Sequence, residues 1–209
     1  MYKDFFENGK ITMKTILALC TVLMMAVGCG HSQADNPVKT DKDTAALKAG
    51  ERMVLTMEGV EYPFRWCPPG TFLMSSPESE PWRDEDEGTT QHQVTLTKGF
   101  WMLETEVTQA MWESVTGENP SYFKGPKKLP VEQVSWDDCQ EYIRKLNALN
   151  VAPAGTLTGS HRVTGLHCVV RGGSYRDGAM LCRAANRTYS PPSLAALFTG
   201  FRLALVRGK

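Results

Sequence analysis

Beyond its first thirty residues the chain holds four cysteines, Cys67, Cys139, Cys168 and Cys182. No Cys-X-X-Cys pair or His-rich spacing accompanies them, so a zinc framework has no support. In an oxidising compartment they could close one or two disulfides; three full pairings exist and the spacing does not choose among them. A cysteine is also a small core residue, and Cys139 is read that way. A second candidate is the acidic run from Pro77 to Gly88. Its carboxylates could hold calcium, but the fixed ligand spacing of a calcium loop is absent, and a solvated loop is the reading preferred. The third candidate is the stretch Val169 to Ala204, where two kinds of text alternate. Arg171-Gly-Gly-Ser174, Cys182 to Arg187 and Gly200-Phe-Arg-Leu203 read as scaffold. Tyr175 to Gly178, Met180-Leu181, Thr188 to Pro191 and Leu194 to Phe198 have neither strand alternation nor a helical stripe. They are either an ordinary irregular loop or a loop surface whose side chains are selected for a ligand, since loops on a rigid scaffold carry function.

The elements that must position these residues can be read in order. Met53 to Met57 and Gly70 to Met74 read as short strands, divided by Pro63 and by Cys67-Pro-Pro-Gly70. Gln93 to Met102 alternates again, with a turn at Lys98-Gly99. Thr108 caps a first helix carrying Met111, Trp112 and Val115, and Gly117 ends it. Ser135 and Asp138 form a capping-box-like pair for a second helix. Cys139, Tyr142, Ile143, Leu146 and Leu149 follow at helical spacing, which places that helix on the core, with Pro153 and Gly155 closing it. Gly172-Gly173 permits positive φ or a close backbone approach. Phe201, Leu203 and Leu205 alternate as in a half-buried closing strand.

A length of 209 residues suits one domain with appendages. Lys and Arg total 23, as do Asp and Glu, and no basic stripe is present, so nucleic acid is not expected as a partner. Near the N-terminus, Lys14 precedes a short apolar run ending in Ala26-Val27-Gly28-Cys29, too short to span a bilayer comfortably. That ending resembles a bacterial lipobox, which implies cleavage before Cys29 and lipid attachment to its thiol; a simple secretory signal is the alternative. Residues 1–12 fit neither and read as an upstream mis-start, with Met13 the initiator. The expected organisation is then a signal peptide over 13–28, a polar tether over 29–52, and a domain over 53–209.

The order Pro69-Gly-Thr-Phe-Leu-Met74, Glu104-Thr-Glu-Val-Thr-Gln109, Asn119-Pro120, Leu129-Pro-Val-Glu-Gln-Val-Ser-Trp136, Arg171-Gly-Gly-Ser174 and Gly200-Phe-Arg202 resembles the formylglycine-generating enzyme family, or sulfatase-modifying factor domain. The resemblance implies an α+β, C-type-lectin-like fold, here shortened in the middle, with two helices and a small antiparallel sheet. Enzymes of that family oxidise a cysteine of a substrate peptide with a copper-binding cysteine pair. Aligned through Arg183 and Arg187, the two positions here are Ala179 and Ala184, with Cys182 between them. A lone soft ligand is a poor copper(I) site, so no catalytic residue, metal or cofactor is expected.

The C-terminal text further resembles the variable region of proteins diversified by retroelements, of the treponemal variable protein A type. In that group adenines of a template copy are randomised, so asparagine codons become many residues. The resemblance places Tyr175, Arg176, Asp177, Gly178, Met180, Leu181, Thr188, Tyr189, Ser190, Pro191, Leu194, Ala196, Leu197 and Phe198 at or near randomised positions, within a variable region of about 169–204. Met180 requires a template codon other than asparagine's. Fixed glycines, a buried cysteine and the closing strand would anchor the loops, so that side chains can change with small stability effects. Arg176 and Asp177 are a candidate charge pair. The implied protein is a non-catalytic, exported lipoprotein, anchored to the membrane at Cys29 and displayed at the cell surface. Its ligand would be a macromolecule, a protein rather than a small cofactor, because the variable set spans two loops instead of a convergent pocket. A degenerate formylglycine-type oxidase and a structural accessory module are the alternatives. Buried side chains at the fourteen positions would favour the ordinary-loop reading.

Overall fold

Alternation of large apolar side chains builds the main sheet. In β2 (Val60–Cys67), Tyr62, Phe64 and Trp66 share one face and are buried, while Glu61 and Arg65 face out. β1 (Arg52–Met57) pairs with it antiparallel, Leu55 opposite Tyr62. On the other edge β5 (Phe100–Leu103) joins β2, with Phe64 opposite Leu103. Two short strands complete the sheet, β6 (Thr156–Thr158) and β9 (Ala204–Val206), in the order β1-β2-β5-β9-β6. Two hairpins stand apart: β3 (Gly70–Met74) with β4 (His92–Leu96), and β7 (Cys168–Val170) with β8 (Thr188–Ser190). This computed structural model describes residues 47–83, 91–149, 156–158 and 167–206. The expected mis-start, signal peptide, lipidated Cys29 and most of the tether lie outside the described residues, as do the end of the acidic run and the helix stop at Pro153 and Gly155.

Both expected helices form. α1 (Gln109–Thr116) starts at Thr108, whose hydroxyl accepts from the Met111 amide, and ends at Gly117 with φ 82°. α2 (Trp136–Ala148) has a closed capping box: the Asp138 amide donates to Ser135 Oγ at 3.1 Å, and the Ser135 amide donates to Asp138 Oδ2 at 2.9 Å. Aspartate thus fills the role that glutamate usually takes. Cys139, Tyr142, Ile143 and Leu146 are buried as their spacing predicts. Leu149 departs from the expected stripe: it is the C-cap residue and exposed, because no further turn follows to carry it to the core. The core of α1, α2 and the sheet is tied by aromatic rings. Trp112 stacks on Tyr142 at 4.9 Å, and Phe201 meets both edge-on, at 6.0 and 5.6 Å.

Two strand boundaries differ from expectation. Pro63 lies within β2 instead of dividing strands. It sits opposite Val54, and Trp66 and Glu51 are hydrogen-bonded three positions along. Antiparallel alternation therefore makes the Pro63 site a non-bonded one toward β1, so its missing N–H breaks no bond of that pairing and falls on the β5 side, where the ladder ends at Phe64 and Leu103. Its carbonyl still accepts from the Glu104 amide at 2.8 Å. The stretch Gln93 to Met102 is two strands in different sheets, with the turn where expected. The closing strand is short, yet its alternation holds: Leu203 and Leu205 are buried, and the carbonyls of Leu203 and Phe201 accept from the amides of Leu103 and Val107.

All four cysteines described are free thiols, so neither possible disulfide forms among them. Cys139 is a buried core residue, as read from the sequence, and Cys168 is buried too; Cys182 is exposed, so the anchoring cysteine of the variable loops is not the buried one. Burial first, and then the neighbouring Asp138 carboxylate, push the Cys139 thiol up from 9.0 to about 12. Burial also raises the Tyr62 and Tyr142 phenols. Groups with raised folded values stabilise fully below their unfolded values and lose that contribution as pH rises through the folded ones. The unfolding free energy from urea titration is therefore expected to fall as pH rises above 9, by up to about 1.4 kcal/mol per pH unit from Cys139 alone. Cys139→Ala should flatten that fall. In the native state at pH 8, iodoacetamide should label Cys182 and leave Cys139 and Cys168 untouched, which mass spectrometry of peptides will read.

Candidate functional site

The scaffold residues of the C-terminal stretch each have a physical task. Gly172 and Gly173 have φ of 97° and 64°, and a Cβ on Gly173 would fall 2.8 Å from Cys182 Sγ and 2.9 Å from the Leu181 carbonyl. The double glycine thus lets two loop segments cross at contact distance. Arg183 ties the variable loop to the segment around Glu80 and Trp82: its guanidinium donates to Glu80 Oε1 at 2.7 Å, to the Trp82 carbonyl at 2.7 Å, and to the Met180 carbonyl at 3.0 Å. Asn186, buried, donates to the Leu181 carbonyl at 2.8 Å. Arg171 donates to the Ala184 carbonyl at 3.3 Å. Gly200 lies where a Cβ would meet Glu106 Oε1 at 2.9 Å and the Val131 carbonyl at 3.2 Å. Arg202 donates to the carbonyls of Leu103 and Glu104, fastening the closing strand to β5.

Between these anchors the fourteen predicted positions face outward. Tyr175, Arg176, Asp177, Gly178, Met180, Leu181, Thr188, Tyr189, Pro191, Leu194 and Phe198 are exposed, and Ser190, Ala196 and Leu197 are half-buried; none is buried. The structure brings only some of them together. Tyr175 meets Phe198 at 5.6 Å, and Arg176 lies 4.7 Å over the Phe198 ring, a cation–π arrangement. Ser190, Pro191 and Leu194 instead line a cavity of about 430 Å³, shared with Glu106, Cys139 and Arg202. Thr188 to Ser190 form β8. The expected Arg176–Asp177 pair does not form among the described ion pairs. Asp177 Oδ2 accepts from the Ser174 amide at 2.6 Å, a local turn bond that leaves Arg176 to the aromatic ring.

Sequence reasoning missed two residues that join this surface. Tyr122 and Phe123 come from the loop after α1; Phe123 meets Tyr175 at 6.1 Å and Tyr122 at 5.1 Å. A signal was available. Two adjacent aromatics stand among turn formers in Asn119-Pro-Ser-Tyr-Phe-Lys-Gly125, the same aperiodic texture as the C-terminal filler.

The donor set does not fit the copper site that the family resemblance implies. Ala179 and Ala184 are both exposed and offer no thiolate, which leaves Cys182 alone. Among the described residues no group of three or more His, Cys, Asp or Glu side chains converges.

Residues 63–152 match the sulfatase-modifying factor enzyme 1-like domain family. Over this stretch, less than half of the chain, the sequence is similar to that family. Its α+β architecture, two helices with small antiparallel sheets among the described residues, is the one expected for that family. A structure titled Treponema denticola variable protein 1 superposes on 74% of this chain and 99% of its own, with a TM-score of 0.65 at 16% identity. The structure of PvdO from Pseudomonas aeruginosa covers 77% of this chain and 100% of its own, with a TM-score of 0.66 at 15% identity. The chain therefore shares the fold of both structures. A curated relative, chaperone protein LppX of Paenibacillus barcinonensis, is 51% identical over 49 residues, 23% of this chain. The chain spans 17% of that relative's length in the match.

Proposed function

We propose that this is a non-catalytic binding protein whose C-terminal loops, about residues 169–204, form a diversified ligand-binding site. In this reading it is an exported lipoprotein, held to the membrane through Cys29 and displayed at the cell surface, and its ligand is a macromolecule. The observation that carries the reading is that no side chain of the variable set is buried, while the residues between them make the contacts that hold the loops. The positions placed in the variable set are exposed or half-buried. The glycines, arginines and asparagine between them hold backbone carbonyls and neighbouring loops. A surface built so tolerates exchange of its side chains, because solvent-facing residues away from such anchors change stability little. The shared fold with a protein named as variable agrees with this.

Sequencing the DNA that flanks the gene tests the proposal. A near-copy of the codons for residues 169–204, differing almost only at adenines and beside a reverse transcriptase gene, is the expected result; its absence would remove diversification from the account. A second expectation concerns stability. Replacing Tyr175, Arg176, Leu194 and Phe198 together by serine should lower the unfolding free energy by no more than about 2 kcal/mol, roughly 0.5 per exposed site. A loss above about 4 kcal/mol in a urea titration would make these residues structural.

The second reading, a formylglycine-type oxidase, is favoured by the family match over 63–152. It requires the full chain to bind copper(I) through paired thiolates, and Ala179 and Ala184 leave one thiol where two are needed. Titration of copper(I) against a competing chelator separates the two readings.

A further inference from the structure

The geometry points to a fixed limb of the recognition surface outside the variable region. The loop Ser121–Lys124 contributes Tyr122 and Phe123 to the same patch as Tyr175, Arg176 and Phe198, and that patch takes a protein segment presenting a carboxylate beside apolar side chains. The inference rests on the reading of the C-terminal loops as a binding site.

The rings form one unbroken row. Tyr122 meets Phe123 at 5.1 Å and 88°, Phe123 meets Tyr175 at 6.1 Å and 85°, and Tyr175 meets Phe198 at 5.6 Å and 73°. All four rings remain exposed, Tyr122 at 69% and Tyr175 at 73%. Contact among themselves does not hide them. Exposed aromatic rings in a contiguous group mark interaction surfaces, where tyrosine supplies large contact area at low entropic cost.

The loop beneath Tyr122 and Phe123 is held more firmly than an ordinary surface turn requires. The Phe123 amide donates to Glu132 Oε1 at 2.8 Å, and its carbonyl accepts from Gln109 Nε2 at 2.9 Å. Asn119 Nδ2 donates to Gln109 Oε1 at 2.9 Å, while Asn119 Oδ1 accepts from the Ser121 amide at 3.1 Å. Gln109, Ser121 and Glu132 are buried polar side chains; the network engages Gln109, the Ser121 hydroxyl and Glu132 Oε1, while Glu132 Oε2 is buried without a hydrogen-bond partner. A pre-ordered tip loses little freedom on binding, which raises affinity without new contacts. Such a limb gives a changing surface one constant foothold.

Charge selects the partner. Arg176 stands over Phe198 at the edge of the row, and Lys124, next in sequence to Phe123, donates to the Asn119 carbonyl at 2.5 Å. The carboxylate nearest in sequence, Asp177, is engaged by the Ser174 amide. The Arg176 cation over Phe198 therefore suits an acidic group, and the rings suit apolar side chains next to it.

The test uses the full chain in detergent, panned against a phage-displayed library of random dodecapeptides. Enriched peptides are expected to combine Asp or Glu with aromatic or aliphatic residues. A synthetic copy of the most enriched peptide, measured by fluorescence anisotropy, should bind Tyr122→Ser and Arg176→Ser about ten-fold more weakly than the wild type. Tyr122→Phe, which keeps the ring, should bind within two-fold. Equal binding by Tyr122→Ser with a ten-fold loss for Arg176→Ser would overturn the fixed limb and leave the C-terminal site standing. If neither substitution weakens binding, the C-terminal site itself fails. Enriched peptides without carboxylates, or binding confined to a glycan array, would overturn the partner assignment. Matching melting temperatures for the variants and wild type confirm that the comparison reads binding and not folding.

Discussion

Tyr142→Ala is expected to cost the domain about 3–5 kcal/mol, the range for removing a buried aromatic side chain and leaving its cavity. Tyr142 is fully buried, and two aromatic contacts and a hydroxyl pair converge on it. Its ring stacks on Trp112 at an interplanar angle of 6° and receives the edge of Phe201. Its hydroxyl lies 3.0 Å from that of Tyr62, and both lie 3.2 Å from the Met111 carbonyl. One residue thereby joins α2 to α1, to β2 and to the segment that closes the sheet. Tyr142→Phe keeps the ring and removes one hydroxyl, so it should cost only about 1–2 kcal/mol. Urea denaturation of the two variants separates packing from hydrogen bonding. A loss below about 1 kcal/mol for the alanine variant would mean that the surroundings collapse into the cavity and that the aromatic group does not hold the core together.

Gly173→Ala is expected to have the second largest effect, about 2–4 kcal/mol, and to disturb the variable loops before the sheet. Two penalties combine. A left-handed backbone costs an alanine roughly 1 kcal/mol or more. The new methyl would also stand 2.8 Å from Cys182 Sγ, 2.9 Å from the Leu181 carbonyl and 3.0 Å from Cys182 Cα, two of which are backbone atoms that no rotamer change can move. Gly172→Ala is the matched control: its φ is 97° but no atom lies within 4 Å of the added Cβ. It should therefore pay the backbone penalty alone. Equal losses for the two variants would show that the crossing at Cys182 contributes nothing. A larger loss for Gly173→Ala, together with faster amide exchange over residues 174–182, is the expected outcome.

What was legible in the sequence follows from what is local. Thr108, Gly117, Ser135 and Asp138 act within four residues of themselves, so the two helices could be placed by their caps. The alternation through Phe201, Leu203 and Leu205 needs only a two-residue period, and the double glycine announces a backbone that other residues avoid. The aperiodic texture of residues 175–198 identified a surface, because residues that pack on one core must repeat with the period of their element. Pairings between distant segments were decided by tertiary structure alone. Pro63 could enter β2 because the register turns its nitrogen away from β1 and toward the end of the β5 ladder, which no local pattern encodes. Arg176 turned to Phe198 instead of Asp177 because the Ser174 amide claimed the carboxylate. Tyr122 and Phe123 joined Tyr175 across some fifty residues of chain through buried Gln109 and Glu132. The chain itself determined which positions face water; three-dimensional contact decided which of them meet, since only folding sets the distance between residues far apart in sequence.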